Sequence, residues 1–295
     1  MIDPTSLNDC LEGLREAVGE PLELLDVAPI GGGDINTALR LTTTRGEWFV
    51  KLNRPGRMSM LQAEAFGLER LGQAKRLRVP KVVACGAGSH NAYLVLEWLN
   101  LRPLDDRGMA RLGAQLADLH RVTEQQFGWG RDNTIGTTPQ ANRWETDWVA
   151  FFRERRLAPM LASVEGINPA LAELGRPVMA RIERLFDHYR PVPSLLHGDL
   201  WQGNVSMDER GAPVIFDPAI YFGDRETDLA MTELFGGLSP AFYAEYQKAW
   251  PLDEGYARRR DLYQLYHILN HVILFGSAYV TSAHRLLQRL LAEVE

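Results

Sequence analysis

The segment LLHGDLWQGNV, residues 195–205, places His197, Asp199 and Asn204 beside two glycines. Asp199 and Asn204 have the spacing D-x-x-x-x-N, and His197 leads them. Asp217 follows thirteen residues after Asn204, at the end of the apolar run PVIF. A carboxylate that ends a buried strand is costly unless a cation meets it. An acid that takes or orients a proton, then an amide and a second acid that hold a metal, is the pattern of phosphoryl transfer. Singly, each residue reads as a turn former or helix cap. The ordered set, with a hairpin between its second and third members, argues for the chemistry. Asp228, just before LAM, reads as the N-cap of a helix. It also reads as a brace, accepting backbone N–H groups of the loop that carries Asp199.

Phosphoryl transfer also needs a phosphate cradle and a strand lysine paired with a helix glutamate. Gly31, Gly32, Gly33, Asp34, Ile35 and Asn36 lie between two expected strands. Glycines there let backbone N–H groups approach phosphate oxygens, although most glycine runs between strands are only turns. No Lys-Ser or Lys-Thr follows, so this is not a Walker A loop; a strand follows, so it is not a dinucleotide fingerprint. Alternation in EWFVKLN puts Phe49 and Lys51 on one face and Trp48, Val50 and Leu52 on the other. Lys51 reads as a phosphate holder with Glu64 as its partner; the plainer alternative is an edge lysine that snorkels.

These residues need a frame. Leu7, Leu11, Leu14 and Val18 form a helical stripe after an Asp3-Pro4 start, and Gly19 ends it. LELLDVAPI, LRLTTTRGEWFVKLN, KVVACGA and NAYLVLEWL read as strands around a helix at 60–71. Beyond Pro103 the pattern turns helical, with segments near 144–163, 169–189, 228–236, 240–250, 257–279 and 282–294. Only VPSLLHGD and NVSMDERGAPVIFD interrupt it, the second as two strands about a turn at Asp208–Gly211. Residues 127–138 read as a long loop. The expected class is α+β: a β-rich lobe over 1–99 and a mainly helical lobe over 100–295, with small ligands bound at a cleft at their junction.

The totals narrow the function. The chain has 295 residues, enough for two lobes, and a formal net charge of −6. That charge argues against a nucleic-acid partner. Two cysteines, Cys10 and Cys85, make no disulfide framework. No apolar run is long enough to cross a membrane, and MIDPTSLNDCLEG carries no secretory signal. A cytoplasmic protein with no membrane partner is expected. His267 and His271, four apart in YHILNH, have helical metal-ligand spacing. No H-E-x-x-H accompanies them, so they read as core histidines with hydrogen-bond partners, as does His120.

HGDLWQGN followed by FDPAIYFGDRETDLAM resembles the fructosamine kinase (ketosamine-3-kinase) family, within the kinases similar to aminoglycoside phosphotransferases. GGGDINTALRL, WFVKLN, EAFGLERL, LVLEWL, FGWGRDNTIGTTPQANRWETDWVAFFRERRL and LYHILNHVILFG extend the resemblance over nearly the whole chain. The resemblance implies a bilobal, protein-kinase-like fold and ATP- and Mg²⁺-dependent phosphorylation of the 3-hydroxyl of a fructosamine or ribulosamine, hence deglycation. It makes Asp199 the base and Asn204 and Asp217 the metal ligands. Lys51 and Glu64 position the phosphates, and Glu97, Trp98 and Leu99 meet the adenine. Trp201, Tyr221 and Arg225 face the sugar. Gln202 departs from the glycine expected in this loop, which bears on substrate fit and not on phosphoryl transfer. Two other readings stay open: a related kinase acting on an aminoglycoside, choline or homoserine, and a nucleotide-binding pseudokinase scaffold.

Overall fold

The computed structural model describes residues 5–31 and 35–295. The Asp3-Pro4 helix start, Gly32, Gly33 and Asp34 lie outside them. The chain divides into two compact units: Met1–Pro103 with Ser206–Pro218, and Leu104–Val205 with Ala219–Glu295.

The first unit opens with α1 (Thr5–Val18). Gly19, at φ +73°, ends it and donates its N–H to the Arg15 carbonyl. An antiparallel sheet follows: β1 (Leu24–Ile30), β2 (Thr37–Thr43), β3 (Gly46–Asn53), then helix α2 (Met58–Ala74), β4 (Val82–Ala87) and β5 (Ala92–Glu97), in the order β1-β2-β3-β5-β4. The alternation read in EWFVKLN holds: Val50 and Leu52 sit in a core with Leu7, Leu11 and Leu14 of α1. Lys51 points to the other face, between Ala38 of β2 and Leu94 of β5 in register.

The second unit contains α3 (Asp106–His120), a hairpin of β6 (Asn133–Ile135) and β7 (Thr138–Gln140), α4 (Trp148–Phe152), α5 (Ala158–Glu165), α6 (Pro169–Ala180) and β8 (Ser194–Leu196). The hairpin β9 (Val205–Met207) and β10 (Pro213–Ile215) comes next in the chain, and most of it belongs to the first unit. Then follow β11 (Tyr221–Gly223), α7 (Glu226–Leu234), α8 (Pro240–Ala249), α9 (Tyr256–Phe275) and α10 (Val280–Val294). Asp105, Asp147 and Asn168 cap α3, α4 and α6 through their side chains. A core of Phe151, Phe152, Leu196, Tyr221, Tyr263 and Leu269, among others, runs through this unit.

Four details differ from the sequence reading. Residues 127–138 are not wholly loop, because three-residue strands β6 and β7 pair antiparallel there. The expected helix over 169–189 stops at Ala180, and Ile182–Phe186 tightens into a 3-10 turn. Helix α7 begins at Glu226, and Asp224 receives the Glu226 N–H, so Asp228 lies in the first turn and is not its cap. The segment Ser206–Pro218, placed by sequence in the second lobe, groups with the first unit. There Met207 exchanges backbone hydrogen bonds with Arg102, and Arg78 bridges to Val214.

Candidate active site

In the sheet unit, Lys51 is buried and its Nζ donates to Glu64 Oε1 at 2.8 Å and to Asp217 Oδ1 at 2.6 Å. Burial alone would lower the ammonium pKa, but the charges of Glu64 and Asp217 overcome it and hold it above its ordinary value. Glu64 is pushed up to about 6, by burial first, with Lys51 opposing and Asp217 adding to the rise. Asp217 adopts φ +57°, a left-handed conformation that costs an L-residue energy. The other non-glycine residue with positive φ among the described residues is Lys75, which merely ends α2. Asp217 thus combines an uncommon backbone conformation with a bond to a buried lysine.

Elsewhere in this unit, Asn36 accepts a hydrogen bond from Asn53 Nδ2 at 2.7 Å, and Gly31 is exposed just after β1. Glu97 ends β5 and pairs with both terminal nitrogens of Arg78 at 2.8 Å. Trp98 lies under the Arg40 guanidinium, 4.8 Å from the ring centre, and Leu99 follows it outside any strand or helix.

In the helical unit the catalytic-loop sequence leaves β8 through His197 and Gly198. Gly198 sits at φ +82°, and a Cβ there would collide with the Ala219 carbonyl oxygen. Only glycine makes that turn. Asp228 Oδ2 accepts the His197 N–H at 2.7 Å, and its Oδ1 accepts the Gly198 N–H at 2.8 Å. His120 Nε2 lies 3.2 Å from Asp228 Oδ2, and His120 Nδ1 lies 2.8 Å from the Tyr246 hydroxyl. A carboxylate only accepts, so Nε2 carries the proton and Nδ1 accepts from Tyr246. The Tyr246 hydroxyl in turn accepts from Arg225 at 3.0 Å. Burial lowers the His120 pKa, so the ring is neutral at neutral pH. Burial would raise Asp228, but hydrogen bonds from His120 and Gly198 hold it below its ordinary value.

Asp199, half-buried, follows this turn. Asn204 Nδ2 donates to the Asp199 carbonyl at 2.8 Å and to its Oδ2 at 3.2 Å. The two residues are thus hydrogen-bonded across the five-residue spacing. Trp201 is exposed and lies edge-on to Phe235, 5.9 Å between centres. Its ring covers Gly203, where it would collide with any Cβ. Gln202 is exposed with ordinary negative φ, so the glycine expected there is not a backbone requirement.

Two residues expected at the sugar are buried among protein groups. Arg225 is buried; it donates to Tyr246, Trp250 O and Pro251 O and stacks on Trp250 at 4.2 Å. Both terminal nitrogens thus bond inside the protein. Tyr221 is buried, stacked on Phe151 and covered by Arg156 at 4.1 Å. Sequence reasoning missed Tyr246, since nothing in YAEYQKAW marks a hydroxyl that orients a histidine 126 residues away. His271 Nδ1 bonds the His267 carbonyl, and no three-residue metal cluster of His, Cys, Asp or Glu occurs among the described residues. A groove of about 680 Å³ lined by Phe127, Trp148, Arg153, Phe186, Tyr189 and Arg190 holds none of the expected catalytic residues.

A strand lysine tied to a helix glutamate, with a braced H-G-D loop and its asparagine, defines the class: a phosphotransferase of the protein-kinase-like type. A sequence model described as fructosamine kinase matches residues 7–293. A probable ketoamine kinase from Synechocystis is 41% identical over 292 residues, covering 98% of each chain. The chloroplastic protein-ribulosamine 3-kinase of Arabidopsis thaliana is 40% identical over 271 residues, 90% of this chain and 82% of that one. The crystal structure of a putative fructosamine-3-kinase from Haemophilus somnus superposes with a TM-score of 0.87 at 30% identity, covering 95% and 96% of the two chains. The chain belongs to the fructosamine kinase family and has its α+β kinase-like fold.

Proposed function

We propose that this protein transfers the γ-phosphoryl group of ATP to the 3-hydroxyl of a ketosamine, a fructosamine or ribulosamine adduct carried by a small amine or a protein. The observation that supports it most is the Asp199 loop, braced by Asp228, in a chain similar over 90% of its length to a protein named for ribulosamine phosphorylation. Asp199 accepts the hydroxyl proton as the acceptor oxygen bonds the γ-phosphorus and the bond to the ADP oxygen breaks. Asn204 holds the Asp199 carboxylate in place. Lys51, kept charged by Glu64 and Asp217, neutralises phosphate oxygens. The Gly31–Asn36 segment and Glu97–Leu99 complete the nucleotide contacts, and Trp201 offers its exposed face to the sugar.

Asn204 and Asp217 would hold Mg²⁺. An amide oxygen and a carboxylate are hard donors that suit it, and Mg²⁺ characteristically takes few protein ligands alongside substrate phosphates. Bound there, it neutralises charge on the transferring group. A 3-phosphorylated ketosamine falls apart more readily than its parent, so the reaction is a deglycation step. A cytoplasmic setting fits two free thiols, Cys10 and Cys85, which burial pushes up to about 12 and about 11.

A coupled ADP-release assay tests the reading with fructosyl-, ribulosyl- and erythrulosyl-lysine against aminoglycosides and choline. Turnover on ketosamines is expected. Turnover on another alcohol alone would overturn the substrate assignment and leave the phosphotransferase.

A further inference from the structure

Arg156 is fully buried, yet all its hydrogen-bond partners are neutral. Nη1 donates to the Ala141 carbonyl at 2.7 Å and the Arg155 carbonyl at 3.1 Å, and Nη2 donates to Asn142 Oδ1 at 2.7 Å. The guanidinium lies over Tyr221 at 4.1 Å and Phe151 at 4.7 Å. Nε has no hydrogen-bond partner. A guanidinium cannot shed its proton, so this is a permanent charge held in the core by ring faces and carbonyl dipoles. Such a group is costly, and an apolar side chain of similar size is often as stable or more so. The backbone is unusual at the same place. Arg153–Leu157 winds as a π-helical turn between α4 and α5, a rare form concentrated at functional sites.

The hydrogen bonds leading away from Arg156 have one direction. An arginine only donates, so Asn142 must present Oδ1 to it and turn Nδ2 outward. Asn142 Nδ2 donates to Asn133 Oδ1 at 2.9 Å and to the Arg131 carbonyl at 3.1 Å, and Asn133 Nδ2 donates to the Ile220 carbonyl at 2.9 Å. Gln140 Nε2 also donates to Asn133 Oδ1 at 2.8 Å and to the Ala219 carbonyl at 3.3 Å. The Tyr266 hydroxyl fixes that orientation by donating to Gln140 Oε1 at 2.7 Å. The Ala219 N–H donates to the His197 carbonyl, and the Ala219 carbonyl is the surface against which Gly198 turns.

We propose that Arg156 is a positioning residue for the catalytic loop. As the donor-only end of the chain, it anchors Asn142 Oδ1, and Asn142 shares with Gln140 the hold on Asn133, whose Nδ2 grips the Ile220 carbonyl. The neighbouring Ala219 then seats His197 and Gly198, and Asp199 follows. Without the donor, Asn142 Oδ1 is left unpaired in the core, and Asn142's half of the hold on Asn133 loosens. This rests on the reading of Asp199 as the base.

The test uses the full chain with ATP, Mg²⁺ and fructosyl-lysine, or whichever acceptor the ADP-release assay identifies. Arg156→Met removes the donor and the buried charge together. Its Tm should stay within a few degrees while kcat falls about 10- to 100-fold, the scale of a small misplacement of a reacting group. ATP affinity should not move. Arg156→Lys, still a donor, should recover part of the loss. Asn142→Asp gives Arg156 a carboxylate partner but cannot donate to Asn133, so its kcat should fall on the same scale although the charge is now paired. That variant decides the matter if Arg156→Met fails to fold. A kcat within twofold of wild type in folded Arg156→Met or in Asn142→Asp overturns the proposal. Asp199→Ala is measured in parallel. If it loses activity while those variants do not, only the positioning role fails; if it keeps activity, the assigned base fails and this proposal with it.

Discussion

Lys51 in the sheet unit and Asp228 in the helical unit are both buried charges, and the protein stabilises them in different ways. Lys51 is met by two carboxylates, one of which titrates near pH 6 and the other of which stands on left-handed backbone. Asp228 is met by two backbone N–H groups and a histidine that burial keeps neutral. The first arrangement is ionic and exchangeable, as suits the phosphate-binding role proposed for Lys51. The second is built from backbone and imidazole dipoles, as suits the bracing role proposed for Asp228.

The comparison predicts unequal responses to damage. Asp228→Ala should be the most disruptive change for stability, because it strands the His197 and Gly198 N–H groups and His120. A loss of about 3–5 kcal/mol is expected, read from the urea midpoint. A loss below about 1 kcal/mol would mean that the brace is slack. Gly198→Ala should cost about 2 kcal/mol or more, from positive φ and the clash with the Ala219 carbonyl, with a fall in kcat measured on the folded fraction.

Mild acid separates the two centres. Below about pH 6 Glu64 takes up a proton and Lys51 loses one partner, so kcat/KM for ATP should fall by up to about tenfold per pH unit. Stability should not follow on account of these groups. Glu64, raised in the folded state, contributes stability that is full below its ordinary value of 4.5 and is lost as pH rises through about 6. Asp228, depressed in the folded state, contributes stability present above its ordinary value of 3.8 and lost as pH falls through its lower folded value. Activity should therefore decline between pH 6 and 4.5 with no matching fall in the urea midpoint from these groups, and Glu64→Gln should flatten the decline. The smallest effect is expected from Gln202→Gly, within about 0.5 kcal/mol of wild type, since Gln202 is exposed on ordinary backbone.

How much was legible in the sequence depended on how local the signal was. Lys51 could be placed because strand alternation fixes its face, and Glu64 because a helix follows that strand. Asp228 could be read as a brace because the loop it serves must be held by something. Tyr221 and Arg225 were set at the sugar by the family resemblance and not by any local pattern. Their burial depends on Arg156 and on the carbonyls of Trp250 and Pro251, which no local pattern encodes. Strands β6 and β7 escaped notice because three residues are too few to show alternation. The π turn at Arg153–Leu157 left no mark in RERRL, and the grouping of Ser206–Pro218 with the first unit is set by backbone pairing to Arg102 and Arg78.

The most direct test of the central claim is the turnover of Asp199→Ala on fructosyl-lysine, with ATP affinity measured on the same sample. A fall in kcat of about 10²–10⁴-fold with ATP affinity retained is the expected result. Near-normal turnover would contradict the assignment of Asp199 as the base and, with it, the catalytic purpose of the brace around its loop.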